Sequence, residues 1–241
     1  MEGYVDIHNH ILPQIDDGSH SIEQTIRMLN TAYNEGIRVI IATPHYKEGR
    51  YQKKVAKLEA TLNCVKDEIK DTLPELELYL GSEIYYSHEC ISLLEQKQIP
   101  TLAGSRYILV EYSPGVEFNY LKNSLQKCLF AGYLPILAHI ERYKCLEQDM
   151  DLVEELIDMG AYMQINASSL AGGFGCKTKR LAKKLLKRNI VHLIATDAHN
   201  EANRPLSIKE CVKYINKKYG QSYVIKFFIE NPRKIINDEY I

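Results

Sequence analysis

Seven short apolar runs punctuate the chain: YVDIH (4–8), IRVIIAT (37–43), LELYLGSEI (76–84), YILVEY (107–112), LPILAHI (134–140), AYMQIN (161–166) and VHLIATD (191–197). Each is rich in β-branched, aromatic or long aliphatic residues and almost continuously hydrophobic, the pattern of a strand covered on both faces. Between the runs, apolar positions fall three and four apart. That spacing predicts helices over residues 21–36, 53–71, 119–132, 151–160 and 178–189. In the first, Ser21 with Gln24 forms a capping box and Gly36 supplies the stop. Alternating strands and helices predict an α/β fold with a parallel sheet, and seven βα units favour a barrel over an open sheet. No repeat, low-complexity tract or linker divides the chain, so residues 1–241 are expected to form a single domain. The Gly-rich stretch GGFG (172–175) lacks the spacing of a dinucleotide or P-loop motif. It reads as a mobile loop, with a lid as the alternative.

The polar residues at the ends of these runs carry the chemistry. His8 and His10 close the first, His45 follows the second, Glu83 lies in the third, Glu111 ends the fourth and His139 the fifth, while Asp197 and His199 close the seventh. In parallel barrels the C-terminal strand ends converge on one face, where active sites are built. Six of the seven runs therefore deliver a candidate ligand to one rim. With Asp17 the set reaches nine donors, too many for one transition ion, which takes four to six ligands. Mixed imidazole and carboxylate donors suit Mn, Fe or Zn, so two or three ions are expected, with Glu83 as a bridge. Three divalent ions against four carboxylates (Asp17, Glu83, Glu111, Asp197) leave the pocket positive by about two charges, as a phosphoryl substrate requires. Arg142 in AHIERY and Arg204 in DAHNEANRP fall on the same rim, where a guanidinium can clamp phosphate oxygens. His20, at a helix start, His88, in a helical stretch, and His192, at the opposite end of its strand, are read as structural or exposed. Asp6 and Asp16 neighbour the candidate ligands, either as orienting partners or as turn residues.

Composition removes several alternatives. Hydrophobic residues make up 45% of the chain, enough for a buried core, and the net charge of −1 gives no overall attraction to nucleic acid or anionic membrane. No run approaches the roughly 18 apolar residues of a membrane span. MEGYVDIHNH also lacks the basic start and apolar stretch of a signal peptide, so a cytoplasmic location is expected. The six cysteines (64, 90, 128, 145, 176 and 211) form no C-x-x-C pair, and none has an arginine six positions on. The phosphate loop of cysteine-dependent phosphatases is therefore absent.

Together, DIHNHILPQIDDG, ATPHY, GSEIYY, VEYS, AHIERY, ATDAHN and NPRKI resemble the polymerase and histidinol phosphatase (PHP) superfamily. Within it, they look like the manganese-dependent tyrosine-protein phosphatases of bacterial capsular and exopolysaccharide loci, a resemblance that runs nearly end to end. It implies a distorted (β/α)7 TIM-like barrel, the PHP fold, with a trinuclear manganese centre. By the resemblance, His8, His10, Glu83 and Asp197 hold one ion, Glu83, Glu111 and His139 a second, and Asp17, His45 and His199 a third. Arg142 and Arg204 bind the substrate phosphate. The implied substrate is phosphotyrosine in the C-terminal tyrosine cluster of a cognate bacterial kinase, attacked by a metal-activated hydroxide. The rival activities are hydrolysis of a small monoester such as histidinol phosphate, phosphodiester hydrolysis, and a non-catalytic metal-binding scaffold for a kinase complex.

Overall fold

The structure, a computed structural model, describes residues 3–241. Residues 1 and 2 of the expected domain lie outside the described residues. The strands are β1 (Tyr4–Asp6), β2 (Ile37–Ala42), β3 (His45–Tyr46), β4 (Glu77–Leu80), β5 (Glu83–Tyr85), β6 (Tyr107–Glu111), β7 (Leu134–Leu137), β8 (Tyr162–Asn166) and β9 (Leu193–Ala195). The helices are α1 (Ile22–Asn34), α2 (Val55–Ile69), α3 (Cys90–Glu95), α4 (Phe118–Phe130), α5 (Lys144–Gln148), α6 (Asp151–Asp158), α7 (Ala167–Ala171), α8 (Gly175–Lys187), α9 (Lys209–Tyr219), α10 (Gln221–Ile225) and α11 (Asn231–Ile236).

The seven predicted runs become nine strands because two of them break. Pro44 has no N–H to donate, so the second run is interrupted after Ala42 and resumes as β3. Gly81 interrupts the third where the chain passes close to its neighbours. A Cβ there would meet Leu102 at 2.7 Å and Ile41 at 3.1 Å. Pairing continues across both breaks, through Gly81 N–H to the Ala42 carbonyl (2.8 Å) and Glu83 N–H to the Pro44 carbonyl (3.1 Å). The sheet orders β1-β2-β4 and β3-β5-β6-β7-β8-β9 are thereby joined, and every pairing between these strands is parallel. The last stave meets the first through Asp197 N–H to the His8 carbonyl and His10 N–H to the Ala198 carbonyl, each 2.8 Å. A seven-stave parallel α/β barrel results, as the sequence predicts.

Ser21 caps α1 by accepting the Gln24 N–H at 3.2 Å. The return bond of the expected capping box goes one residue further back, from His20 N–H to Gln24 Oε1 (2.7 Å). Gly36 follows the helix at φ 92°, a conformation that costs glycine little.

The core has two parts. A large cluster packs the helices on the outer faces of the strands, with Met28, Leu62, Ile84, Leu125 and Leu185 among its members. A smaller one gathers alternate strand residues inside the barrel: Val39 and Ile41, Tyr107 and Leu109, Leu193 and Ala195. Extending these inward stripes by one or two period-two steps reaches His45, Glu111 and Asp197. The same stripe in β8 runs from Tyr162 to Gln164 and Asn166. The barrel interior is thus apolar below and polar at its upper rim, because side-chain direction along a strand repeats every two residues.

Candidate metal centre

Glu83 stands at the middle of the rim, almost fully buried. Its Oε1 lies 3.2 Å from His8 Nε2 and 2.8 Å from His139 Nε2, and its Oε2 lies 3.2 Å from His10 Nε2 and 3.0 Å from His45 Nδ1. Asp197 Oδ1 is 3.5 Å from both His8 Nε2 and His10 Nε2. Glu111 faces His45 at 3.2 Å and His139 at 3.7 Å. Asp17 faces His45 at 3.4 Å and His199 at 3.7 Å. All nine expected ligands are therefore brought to one rim.

Their grouping differs in detail from the expected division. Donors lie within 4.8 Å of one another in three sets: His8, His10, Glu83 and Asp197; His45, Glu83 and Glu111; and His10, Asp17, His45 and His199. The first set is the one the sequence resemblance implies. In the other two, His45 sits between Glu111 and Asp17, and His10 reaches toward His199, with ring centroids 3.8 Å apart.

The position of His8 and His10 also differs from the simple strand reading. β1 ends at Asp6, so both lie beyond the strand and opposite in phase to the inward Val5 and Ile7. His139 leaves its strand's phase through a left-handed backbone (φ 36°), and Asp197 adopts the same region at φ 53°. Non-glycine residues seldom hold that conformation except where neighbouring structure enforces it.

The donor set fits metal ions on two observations. His8 Nε2, His10 Nε2 and Glu83 Oε2 are buried and make no hydrogen bond, although buried polar atoms are almost always satisfied. Spacings of 3.2–3.5 Å among them and Asp197 also match the edges of a coordination shell with bonds of roughly 2.1 Å.

Neighbouring residues set the imidazole tautomers. His8 Nδ1 faces Gln164 Oε1 at 3.2 Å and His10 Nδ1 faces Asp16 Oδ2 at 2.7 Å, so each carries its proton on Nδ1 and turns Nε2 to the centre. His199 Nδ1 lies 3.1 Å from the Asp197 carbonyl, which holds that ring the same way. Asp16 also accepts the His45 N–H at 2.8 Å, making it the orienting partner of two ligands. Asp6 binds Thr196 and Asn9, and so holds the first and last staves together beneath the site.

The charges interlock. Burial works against ionisation of Glu83 and Asp197, yet the imidazoles around them, His8 foremost, hold both well below the usual carboxylate range. Burial likewise opposes protonation of His45, but Glu83 and Glu111 push its pKa up to about 10. His199 moves the other way, driven down by burial and by His10 beside it. Carboxylates kept ionised in a buried pocket suit a divalent cation, whose binding displaces imidazole protons.

Arg142 Nη2 donates to Asp197 Oδ2 at 2.8 Å, and the Arg204 guanidinium contacts Asp197 Oδ1. Phe174, from the Gly-rich stretch, stacks over Arg142 with 4.4 Å between guanidinium carbon and ring centroid, and lies 6.0 Å from Arg204. Of the histidines set aside, His20 is exposed, His88 occupies the turn before α3 near Tyr120, and His192 accepts the Met163 N–H away from the rim.

A family model described as capsular polysaccharide synthesis, CpsB/CapC, matches residues 4–237. The chain belongs to the CpsB/CapC family. It is similar to the tyrosine-protein phosphatase CpsB of Streptococcus pneumoniae, at 38% identity over 242 residues covering 98% of this chain and 100% of that one. The tyrosine-protein phosphatase YwqE of Bacillus subtilis is 34% identical, covering 98% of this chain and 93% of its own. A solved structure from work on YwqE and S. pneumoniae CpsB, described as unique metal-dependent tyrosine phosphatases, superposes with a TM-score of 0.91. It is 31% identical, covering 98% of this chain and 96% of that one.

In this CpsB/CapC member three rim residues escaped the sequence reading. Gln164, Asn166 and Phe174 offer neither a ligand nor a phosphate clamp by residue type, so a search for ligands passes over them. The polar pair Gln164 and Asn166, two apart in an otherwise apolar strand, was the available signal.

Proposed function

We propose that this chain is a metal-dependent protein-tyrosine phosphatase, formed as one catalytic domain over residues 1–241 and acting on a bacterial tyrosine kinase that controls capsule or exopolysaccharide synthesis. The phosphatase activity and capsular role follow the family. The observation that carries the reading is Glu83, a buried carboxylate met by four imidazoles, with two arginines held on the adjacent Asp197. Two or three Mn²⁺ ions are the proposed cofactor, with Fe or Zn as chemically suited substitutes. The proposed ligands are His8, His10, Asp17, His45, Glu83, Glu111, His139, Asp197 and His199.

Held by these nine side chains, divalent ions would supply acidified water and positive charge against the phosphate oxygens. The protein's own groups do the rest. Gln164 and Asp16 keep the Nδ1 protons of His8 and His10 in place, leaving Nε2 lone pairs facing inward. Arg142 and Arg204, tethered by Asp197, present their remaining N–H groups to the phosphoryl oxygens and stabilise charge as the P–O bond breaks. Tyrosinate leaves readily because its conjugate acid has a pKa near 10, so the reaction places little demand on a general acid.

Among the described residues no helix is long and apolar enough to cross a membrane. The six cysteines are free thiols, which supports the proposed cytoplasmic location.

The test is substrate competition after metal exchange. Chelator-stripped protein reloaded with Mn²⁺ is offered a phosphotyrosine peptide, histidinol phosphate and single-stranded DNA. Metal-dependent phosphate release from the peptide is expected. A clear preference for histidinol phosphate, or cleavage of the DNA, would replace this reading.

A further inference from the structure

Beside the clamp lies a cavity of about 440 Å³ lined by Arg142, Lys144, Phe174, Lys177 and Arg204, with Glu141 and Glu147 also in its wall. Glu147 is paired with Lys177 at 2.9 Å. Glu141 Oε1 accepts the Asn166 N–H and the Ser169 hydroxyl, while its Oε2 is buried without a partner.

Lys177 is shared between this cavity and the outer face of α8. From Lys177 to Arg188 the sequence KTKRLAKKLLKR contains no acidic residue, in a chain whose net charge is −1. Leu181, Ala182, Leu185 and Leu186 turn inward, while Lys177, Arg180, Lys184 and Lys187 are exposed at spacings of three and four, a single stripe along the helix. Arg188 is held by Asp151 and Glu154. Among the described residues Arg180, Lys184 and Lys187 make no ion pair within 4.0 Å. Like charges packed along one helix face destabilise it slightly and invite an external counter-charge.

We propose that the cavity and the α8 stripe form one docking track for an acidic segment of the substrate polypeptide, adjoining the phosphotyrosine. The inference rests on the phosphatase reading and adds the recognition of the residues beside the reacting group. The track begins at the arginines that meet the phosphate and continues through Lys177 onto the helix. Its four cations span eleven residues, ten steps or about 15 Å of helix, which an extended chain covers in roughly four or five residues. The track is continuous with Arg142 and Arg204, which line the same cavity as Lys177, so its occupant is the chain that carries the phosphotyrosine.

The experiment compares phosphotyrosine peptides flanked on either side by four Glu, four Gln or four Lys residues, against the wild type and an Arg180→Gln/Lys184→Gln/Lys187→Gln variant. The wild type should favour the Glu peptide over the Gln peptide in kcat/KM by roughly tenfold at low salt, with the preference fading at high ionic strength. The variant should lose that preference yet hydrolyse free phosphotyrosine at the wild-type rate. Fluorescence anisotropy of labelled, unphosphorylated Glu, Gln and Lys peptides reads the track without turnover, so a failed phosphatase reading leaves the docking test intact. Equal binding of the three peptides, or a preference that survives the substitutions, would overturn the proposal. Binding to phosphatidylserine vesicles that the variant abolishes, without peptide discrimination, would assign the stripe to a membrane surface instead.

Discussion

Gln164 and His8 meet through Gln164 Oε1, 3.2 Å from His8 Nδ1 in a fully buried pocket. The same oxygen accepts the His139 N–H at 2.8 Å, and Gln164 Nε2 donates to Asn166, whose own amide donates to Asp197 at 2.7 Å. One side chain thus positions three proposed ligands.

Replacing it tests that role. Gln164→Leu should weaken metal affinity by about 10- to 100-fold, the usual range for loss of an outer-shell partner. Gln164→Glu keeps both acceptor bonds and loses only the donor to Asn166, so it should fall between the two. Competition with a chelating dye measures this directly, and an unchanged affinity in the Leu variant would sink the assignment.

The arginine clamp makes a second prediction. Arg204→Lys keeps the charge but loses the planar fork, and should lower kcat/KM for a phosphotyrosine peptide by about 10- to 100-fold. Arg204→Ala should cost at least as much and also leave part of the Asp197 charge without its partner. Steady-state kinetics at saturating Mn²⁺ would decide, and a Lys variant with wild-type kinetics would show that bidentate contact is not needed.

Phe174 should act through those arginines. Its ring covers Arg142 at 4.4 Å, an interaction worth about 0.5–1 kcal/mol at exposed sites. Phe174→Ala is expected to raise KM about threefold with little change in kcat, and Phe174→Tyr to restore it. Failure of the Tyr variant to rescue would mean that the ring contributes shape rather than its π face.

Metal removal should be visible in stability as well as turnover. Ions present at 100 times their dissociation constant add about 2.7 kcal/mol, which for a chain of this length corresponds to a shift of roughly 5–10 °C. Thermal melts before and after chelation, then after reloading, read this. A melting point indifferent to chelator would contradict binding by the buried, unpartnered donors.

His192 supplies a pH test away from the rim. Burial, assisted by Lys226, lowers its pKa from 6.5 to about 4. Unfolding therefore takes up a proton on this ring between those values. Its contribution, up to about 3 kcal/mol, is complete above about pH 6.5 and lost as the pH falls toward 4. His192→Asn should flatten the acid side of the stability profile relative to wild type. Parallel slopes for the two proteins in denaturant titrations between pH 4 and 6.5 would exclude it.

Much of this protein is determined along the chain itself. Apolar runs alternating with helical periodicity imply a parallel barrel, and polar residues at the ends of those runs imply a shared rim, because strand direction and side-chain alternation are local properties. The nine candidate ligands and the two arginines are legible for that reason. What the linear pattern cannot carry is which atoms face one another once the ring closes. The break at Gly81 depends on the close approach of Ile41 and Leu102. The placing of His45 between Glu111 and Asp17 depends on the curvature of the rim. Gln164 and Asn166 gain their role only because β8 closes beside β7 and β9, bringing His139 and Asp197 within reach of their amides. Sequence determines the donors, since they are residue types; tertiary structure determines the partners, since a hydrogen bond needs two groups within about 3 Å wherever they lie along the chain.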